Sequence, residues 1–217
     1  MIHIITPCIR PGNLQHISSS IPKECNWIVI FDENCKPSVR EADNATVITP
    51  GARDEEHYNG HYNNANWNRN YVLDNYEFKD GDWIYFLDDD NSIHPNWYKN
   101  VKDTINTNYA MIVWGQLKSD GKTKRTPKKI KKLLKRDFPI AIGRIDTACF
   151  MVNYKHVKDI RWTDDPSPAS AYCSDGKYAV ECSKRGEIHY IPEYICYYNR
   201  LSRRETSEPN LEYLRYH

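Results

Sequence analysis

The sequence predicts an α/β fold: one domain on a mixed, mainly parallel central sheet flanked by helices. Three observations predict it. Short β-branched runs alternate with segments of helical period from Ile2 to Trp114, the pattern of a parallel sheet. Three of those runs end in polar groups: Thr6 with Arg10 nearby, Asp32, and Asp88-Asp89-Asp90. An open α/β sheet gathers such groups beyond the carboxyl ends of its strands, where ligands bind. The chain has 217 residues, with no internal repeat and no low-complexity linker, which fits a single domain with a substantial core.

The elements follow in order. Ile2–Thr6 (IHIIT) is a strand that ends at Pro7, and Trp27–Phe31 (WIVIF) is a second, followed by Asp32-Glu33-Asn34. Thr46–Thr49 is a third, stopped by Pro50-Gly51. Tyr62–Asn75 reads as a helix with Trp67, Tyr71 and Val72 apolar. Trp83–Leu87 is the fourth strand. Pro95–Ile105 is helical, with Trp97, Val101 and Ile105 at i, i+4 and i+8. Ala110–Trp114 is again a strand. The second half departs from the alternation. Phe138–Ile142 and Ala148–Val152 are strand candidates, Gly176–Lys184 is a helix behind Asp175, and His189–Cys196 is a last strand. From Leu201 the chain reads as a polar, basic surface tail.

Composition excludes several classes. The net charge of +1 implies no polyanion partner, so no nucleic acid is expected. No apolar run approaches the ~20 residues of a membrane helix. The opening MIHIITPCIRPG lacks the basic and apolar regions of a signal peptide. The seven cysteines are scattered, without a CxxC pair, and read as reduced thiols of a cytoplasmic protein. Tyr (16) and Trp (6) outnumber Phe (5), and such amphipathic rings suit either half-exposed sugar-binding surfaces or ordinary core and rim packing. Gly121–Arg136 (GKTKRTPKKIKKLLKR) is strongly basic. It reads as a solvated loop or, through Ile130, Leu133 and Leu134, as a basic amphipathic helix able to make peripheral contact with an anionic membrane.

The chemistry centres on Trp83–Asn91, WIYFLDDDN. Adjacent carboxylates make one another harder to ionise, so three in a row at a strand end call for a compensating cation. Mg²⁺ and Mn²⁺ prefer oxygen ligands and bring a diphosphate with them. FLDDDN resembles the DxD motif of the GT-A glycosyltransferases, nucleotide-sugar enzymes with one Rossmann-like α/β domain. Ile4–Pro11, Asn26–Glu33, Asn68–Leu73 (NRNYVL) and IYFLDDDNS are similar, in order and spacing, to segments of the glucuronyltransferase branch of that superfamily, over roughly residues 1–115. Ile145–Asn153 and Ser174–Gly186 are similar to its acceptor-side strand and its acid-plus-helix. The compact size is also like that of small glycosyltransferases of large algal viruses.

That resemblance implies a single GT-A domain over 1–217, with the nucleotide held by residues 1–115 and the acceptor by 116–217. The donor is a nucleoside diphosphate sugar, UDP foremost, and the acceptor a glycan hydroxyl. It implies that Asp90 ligates Mn²⁺ or Mg²⁺ directly, and that Asp88 meets the metal or the ribose. Asp89 would bond sugar or ribose hydroxyls, Asp32 the base or ribose, and Thr6, Pro7 and Arg10 would line the nucleotide. Arg69 and Asn70 would lie against the nucleotide and donor sugar. Asp175 is the candidate base of an inverting transfer, or a helix N-cap, with Asp164 and Asp165 as fallbacks and Asp146 on sugar hydroxyls. Arg200, Arg203 and Arg204 either close over the diphosphate or belong to the solvated tail. His189 is read as packing. The rival functions are a metal-dependent nucleotidyltransferase and a non-catalytic nucleotide- or sugar-binding module.

Overall fold

The computed structural model describes residues 1–32, 35, 45–50, 64–126, 140–165 and 167–201. Expectations for Glu33, Asn34, Tyr62, Phe138, residues 127–136 of the basic run, and the tail with Arg203 and Arg204 lie outside these residues. The strands are β1 (Ile2–Cys8), β2 (Cys25–Phe31), β3 (Ala45–Ile48), β4 (Trp83–Phe86), β5 (Ser92–Ile93), β6 (Met111–Leu117), β7 (Lys124–Thr126), β8 (Phe150–Asn153) and β9 (Ile188–Tyr197). The helices are α1 (Leu14–Ser20), α2 (Asn64–Asn75), α3 (Trp97–Val101), α4 (Tyr154–Val157) and α5 (Pro168–Ser183).

The described strands form one sheet in the order β3-β2-β1-β4-β8-β6-β9-β5, with β7 on β6. β3, β2, β1 and β4 run parallel. β8 enters antiparallel between β4 and β6, and β9 runs parallel to β6. This is the mixed, mainly parallel sheet that the sequence predicts, and it is consistent with a GT-A domain. β1 and β6 are buried along all seven residues, as strands covered on both faces must be.

Five of the six tryptophans, Trp27, Trp83, Trp97, Trp114 and Trp162, are buried. Tyr85 stacks on Trp97 and meets Trp114 edge-on, each with centroids 5.2 Å apart. The Ala148 carbonyl accepts from both Tyr85 Oη (3.1 Å) and Trp114 Nε1 (2.8 Å). Of the two readings of the Trp-rich composition, core packing is therefore the one these rings follow.

Several boundaries differ from expectation, for physical reasons. β1 runs through Pro7 to Cys8. The Cys8 carbonyl faces β2 and the Ile5 carbonyl faces β4, so the backbone of Pro7 faces the β4 side, where pairing has already ended at Ile5–Phe86. A missing N–H costs nothing there. α3 stops at Val101 because the following residues close turns, and the Thr107 hydroxyl takes the Thr104 carbonyl at 2.6 Å. β6 continues past Trp114 through Gly115 and Gln116 because β9 and β7 pair with that stretch. Ile140–Ile142 is not a strand but part of a turn packed on α5. α1 has weak helical sequence, LQHISSS, and is held by burial of Leu14 and Ile17. No helix among the described residues is long and apolar enough to cross a membrane.

Candidate active site

The aspartate turn leaves β4 on the same edge as the exits of β1 and β2. Leu87 N–H donates to the Ile5 carbonyl at 2.9 Å, and Asn91 N–H to the Asp88 carbonyl at 3.0 Å, closing the turn. β1 then turns across it. The amides of Ile9 and Arg10 donate to Asp89 Oδ2 at 2.8 and 2.7 Å. Arg10 Nη2 meets Asp89 Oδ1 and Arg10 Nη1 meets Asp90 Oδ2, both at 2.8 Å. Asn13 Nδ2 donates to the Asp89 carbonyl at 2.8 Å. The third carboxylate, Asp88, pairs with Arg69 from α2. Two guanidinium groups thus serve three aspartates, which is how the chain tolerates the run. Burial works against the Arg10 charge, and Asp89, Asp90 and Asp88 more than offset it, raising its pKa.

This corrects one assignment. The Asp89 side chain is only 2% exposed and both oxygens are occupied by donors from β1's exit. It braces the turn and offers nothing to a sugar hydroxyl. Full burial pushes its pKa up to about 7, against the pull of Arg10 and the two amides. Asp88 differs, with 30% of its side chain exposed. Its second oxygen accepts from Thr147 Oγ1 at 3.1 Å.

Thr147 belongs to a short 3-10 turn, Thr147–Cys149, capped by Asp146. Asp146 accepts from Ala148 N–H (3.1 Å), Gln116 Nε2 (3.2 Å) and Arg125 Nη1 (3.2 Å). Burial raises its pKa against Arg125. The Thr147 amide faces the carboxyl of Asp175. Asp175 is therefore brought to Asp88 and Asp146 by one turn. Burial pushes Asp175 up to about 7, with Asp146 and Asp88 acting in the same sense and Arg69 against them.

Asp175 is not an N-cap. α5 begins seven positions earlier, at Pro168, with Ser167 Oγ accepting from Ser170 N–H as the cap. Asp175 lies mid-helix and half-buried, with no capping role to explain it.

A stacked column holds α5 in place. The Arg69 guanidinium lies 4.3 Å from the Trp162 ring, and Trp162 stacks on Tyr178 of α5 at 4.3 Å and 6°. Arg69 also donates to Asn66 Oδ1 at 2.8 Å. Asn70 clamps the Trp162 backbone with two hydrogen bonds, 2.9 Å to its carbonyl and 2.8 Å from its amide. One amide N–H and the amide oxygen thus hold the Trp162 backbone. Thr6 is likewise spent: it is fully buried, and its hydroxyl accepts from Trp27 Nε1 at 3.0 Å. Pro7 is buried beside it. Asp32 is 3% exposed at the end of β2, its amide on the Cys8 carbonyl and its carbonyl taken by Cys35 N–H.

The remaining candidates separate. Asp164 and Asp165 are exposed, and Asp165 accepts from Ser167 N–H at 2.9 Å ahead of α5. His189 packs in β9 against the Tyr109 ring, 5.3 Å between centroids. Arg200 is buried over Tyr197, 4.3 Å from its ring, and donates to the Ser119 carbonyl. The Leu201 amide donates to the Asp90 carbonyl at 3.0 Å, so the end of β9 borders the aspartate turn.

Sequence reasoning did not single out Thr147, Gln116, Arg125, Trp162 or Gly176. Gln116, a polar residue in an apolar strand and fully buried, carried the clearest signal. Gly176 is mid-helix because a Cβ there would lie 2.5 Å from Ile142 Cα and 2.9 Å from Gly143 N. Ala would gain about 1 kcal/mol of helix propensity. Overpacking against rigid backbone costs about 1–3 kcal/mol and wins. Gly176→Ala is therefore expected to lower the unfolding midpoint, and a raised midpoint would show that the turn yields freely.

Residues 60–161 match the family model of glycosyl transferase family 2. Among solved structures, the chain is similar to a mycobacterial protein at 12% identity and a TM-score of 0.52, covering 90% of this chain and 66% of that one. It is also similar to a putative glucose-1-phosphate thymidylyltransferase from Bacillus anthracis, in complex with a sucrose, at 10% identity and a TM-score of 0.51. That match covers 88% of this chain and 86% of the other. At these identities the likeness is one of fold. No curated protein sequence matches.

Proposed function

We propose that this chain, a GT-A fold matched by glycosyl transferase family 2 over residues 60–161, moves a sugar from a nucleoside diphosphate, UDP foremost, to a glycan hydroxyl with inversion. One observation carries the reading. The 146–148 turn donates the Thr147 hydroxyl to Asp88 and, with Asp146 and the Thr147 amide, acts electrostatically on Asp175 of a separate helix. A partly open carboxylate at a strand end and a second carboxylate on α5 thus lie close enough to raise the second one's pKa. That is the pairing a displacement at a sugar carbon requires, with a leaving group on one side and an attacking hydroxyl on the other.

The donor set suits a hard divalent cation. Mg²⁺ or Mn²⁺ is held by one or two carboxylates together with substrate phosphates rather than by an all-protein cage. Asp88 and Asp90 would hold it only together with the substrate phosphates, since among the described residues no group of three or more His, Cys, Asp or Glu, at the aspartate turn or elsewhere, is placed to hold an ion alone. When bound, the cation supplies Lewis-acid stabilisation of the departing diphosphate. The chain's own residues do the rest. Asp175 takes the proton of the acceptor hydroxyl through its carboxylate oxygen. Arg69 fixes Asp88 and, by its charge, works against the burial that raises the Asp175 pKa to about 7. Asp32 meets the base or ribose at the end of β2.

The test is calorimetric titration of UDP with and without Mn²⁺, for wild type, Asp88→Asn and Asp90→Ala. UDP is expected to bind only with metal, and each variant to weaken it by about 10–100-fold, the loss that even outer-shell changes cause. Metal-independent UDP binding would overturn the reading. Nucleotidyl transfer, the rival that the second fold likeness keeps in view, would instead consume a nucleoside triphosphate and a sugar phosphate and release pyrophosphate.

A further inference from the structure

Tyr172 is 84% exposed and Ile142 is 52% exposed, the two most exposed large apolar side chains among the described residues after Met1 is set aside. Isolated exposed apolar residues are ordinary. These two are not isolated from each other or from the candidate base. On α5, Tyr172 lies about 60° around the helix from Asp175 and about 40° from Gly176, so it rises between them, one turn earlier. Residues three and four apart are surface neighbours. The Ile142 backbone is pressed against α5 at Gly176, and so is the amide nitrogen of Gly143, whose φ is +73°. The missing side chain at Gly176 is what lets Ile142 approach. Asp175 is thereby bordered by an exposed phenol on its own helix and an exposed aliphatic side chain from the 141–143 turn.

We infer that Tyr172 and Ile142 form the acceptor platform, and that it takes the C–H face of an uncharged pyranosyl ring. This rests on the glycosyl-transfer reading: whatever hydroxyl loses its proton to Asp175 belongs to a molecule that lies beside Asp175. A tyrosine offers that molecule a broad apolar face at low entropic cost, with a hydroxyl at the rim. The alternating hydroxyl and C–H faces of a pyranose match an apolar floor with polar edges. The surroundings choose against an acceptor with its own carboxylate, because the three carboxyl groups Asp88, Asp146 and Asp175 outnumber the two guanidinium groups, Arg69 and Arg125, paired with them.

The experiment is saturation-transfer NMR on the full chain with UDP and Mg²⁺. The probes are the methyl β-pyranosides of glucose, galactose and mannose, and methyl β-glucuronide, with UDP binding followed separately by calorimetry. The expected result is saturation concentrated on the C–H protons of one ring face for at least one neutral pyranoside. Its affinity should fall about tenfold or more in Tyr172→Ala and be kept in Tyr172→Phe. Tyr172 is exposed, so neither variant threatens the fold. Equal pyranoside binding in Tyr172→Ala, tighter binding of the glucuronide, or no pyranoside bound while UDP binds would each overturn the platform and leave the donor reading standing. Tyr172-dependent pyranoside binding without any UDP binding would keep the platform and remove the donor reading. Neither ligand binding would remove both.

Discussion

Asp175→Asn is expected to lower sugar transfer by about 10³-fold, in the middle of the range for losing a positioned general base. UDP affinity should stay within a few-fold, because Asp175 sits on α5 and the proposed donor contacts come from β2, β4 and α2. Asn keeps the shape and one acceptor oxygen, so the Thr147 amide remains faced and the column of Arg69, Trp162 and Tyr178 is undisturbed. Two pH effects should accompany the loss. In the wild type Asp175 is pushed up to about 7, so transfer should rise with pH through about 7, and that limb should vanish in the residual activity of the variant. The stability effect has the opposite sense. The folded group titrates near 7 and the unfolded one near 4, so its protonated form favours the fold. That contribution is complete below about pH 4 and is lost as pH rises through 7. Asp175→Asn should therefore melt higher than wild type at pH 8 and about equally at pH 4. Full turnover in the variant would remove Asp175 from the mechanism and send the search to Asp164 and Asp165.

The parts of the site that the sequence made legible are those written in consecutive residues. β1, β2 and β4 could be read because each is an apolar run of fixed length, and the parallel order placed their polar ends on one edge. The aspartate turn followed from the same reading. What the sequence could not carry was pairing between distant side chains. Asp89 looks like Asp88 and Asp90 in the chain, and only the path of β1's exit shows that two amides and a guanidinium occupy it. Asn70 next to Arg69 suggested a shared ligand, but successive helical residues point about 100° apart, and Asn70 turns to the Trp162 backbone instead. The start of α5 was missed because Gly176 looked like a boundary. The helix passes through it, accepting a poor helix former so that the 141–143 turn can pack closely. Thr147 gave no local signal at all, since its value lies in joining Asp88 to Asp175.

Arg10→Met is expected to cost about 3–5 kcal/mol of stability, the loss on removing one partner of a buried ion pair. In a chain of 217 residues that is a fall in Tm of about 6–20 °C. Met retains much of the apolar stem, so the loss would come from the charge. Arg10 is the guanidinium on both Asp89 and Asp90, whose side chains are 2% and 10% exposed, and no water replaces it readily there. The amides of residues 9 and 10 still reach Asp89, which limits the damage but cannot neutralise two adjacent carboxylates. A second substitution separates charge from shape. Adding Asp89→Asn removes one uncompensated buried charge, so the double variant should recover about 1–3 kcal/mol relative to Arg10→Met alone. Thermal unfolding of the two variants and the wild type reads both terms. A loss below about 1 kcal/mol would mean the pair behaves as a solvated surface contact. The expected loss would mean that the turn offering Asp88 and Asp90 to a ligand exists because β1's exit holds Asp89. One arginine then sets the shape of the turn, while also holding one Asp90 oxygen that a cation would have to share.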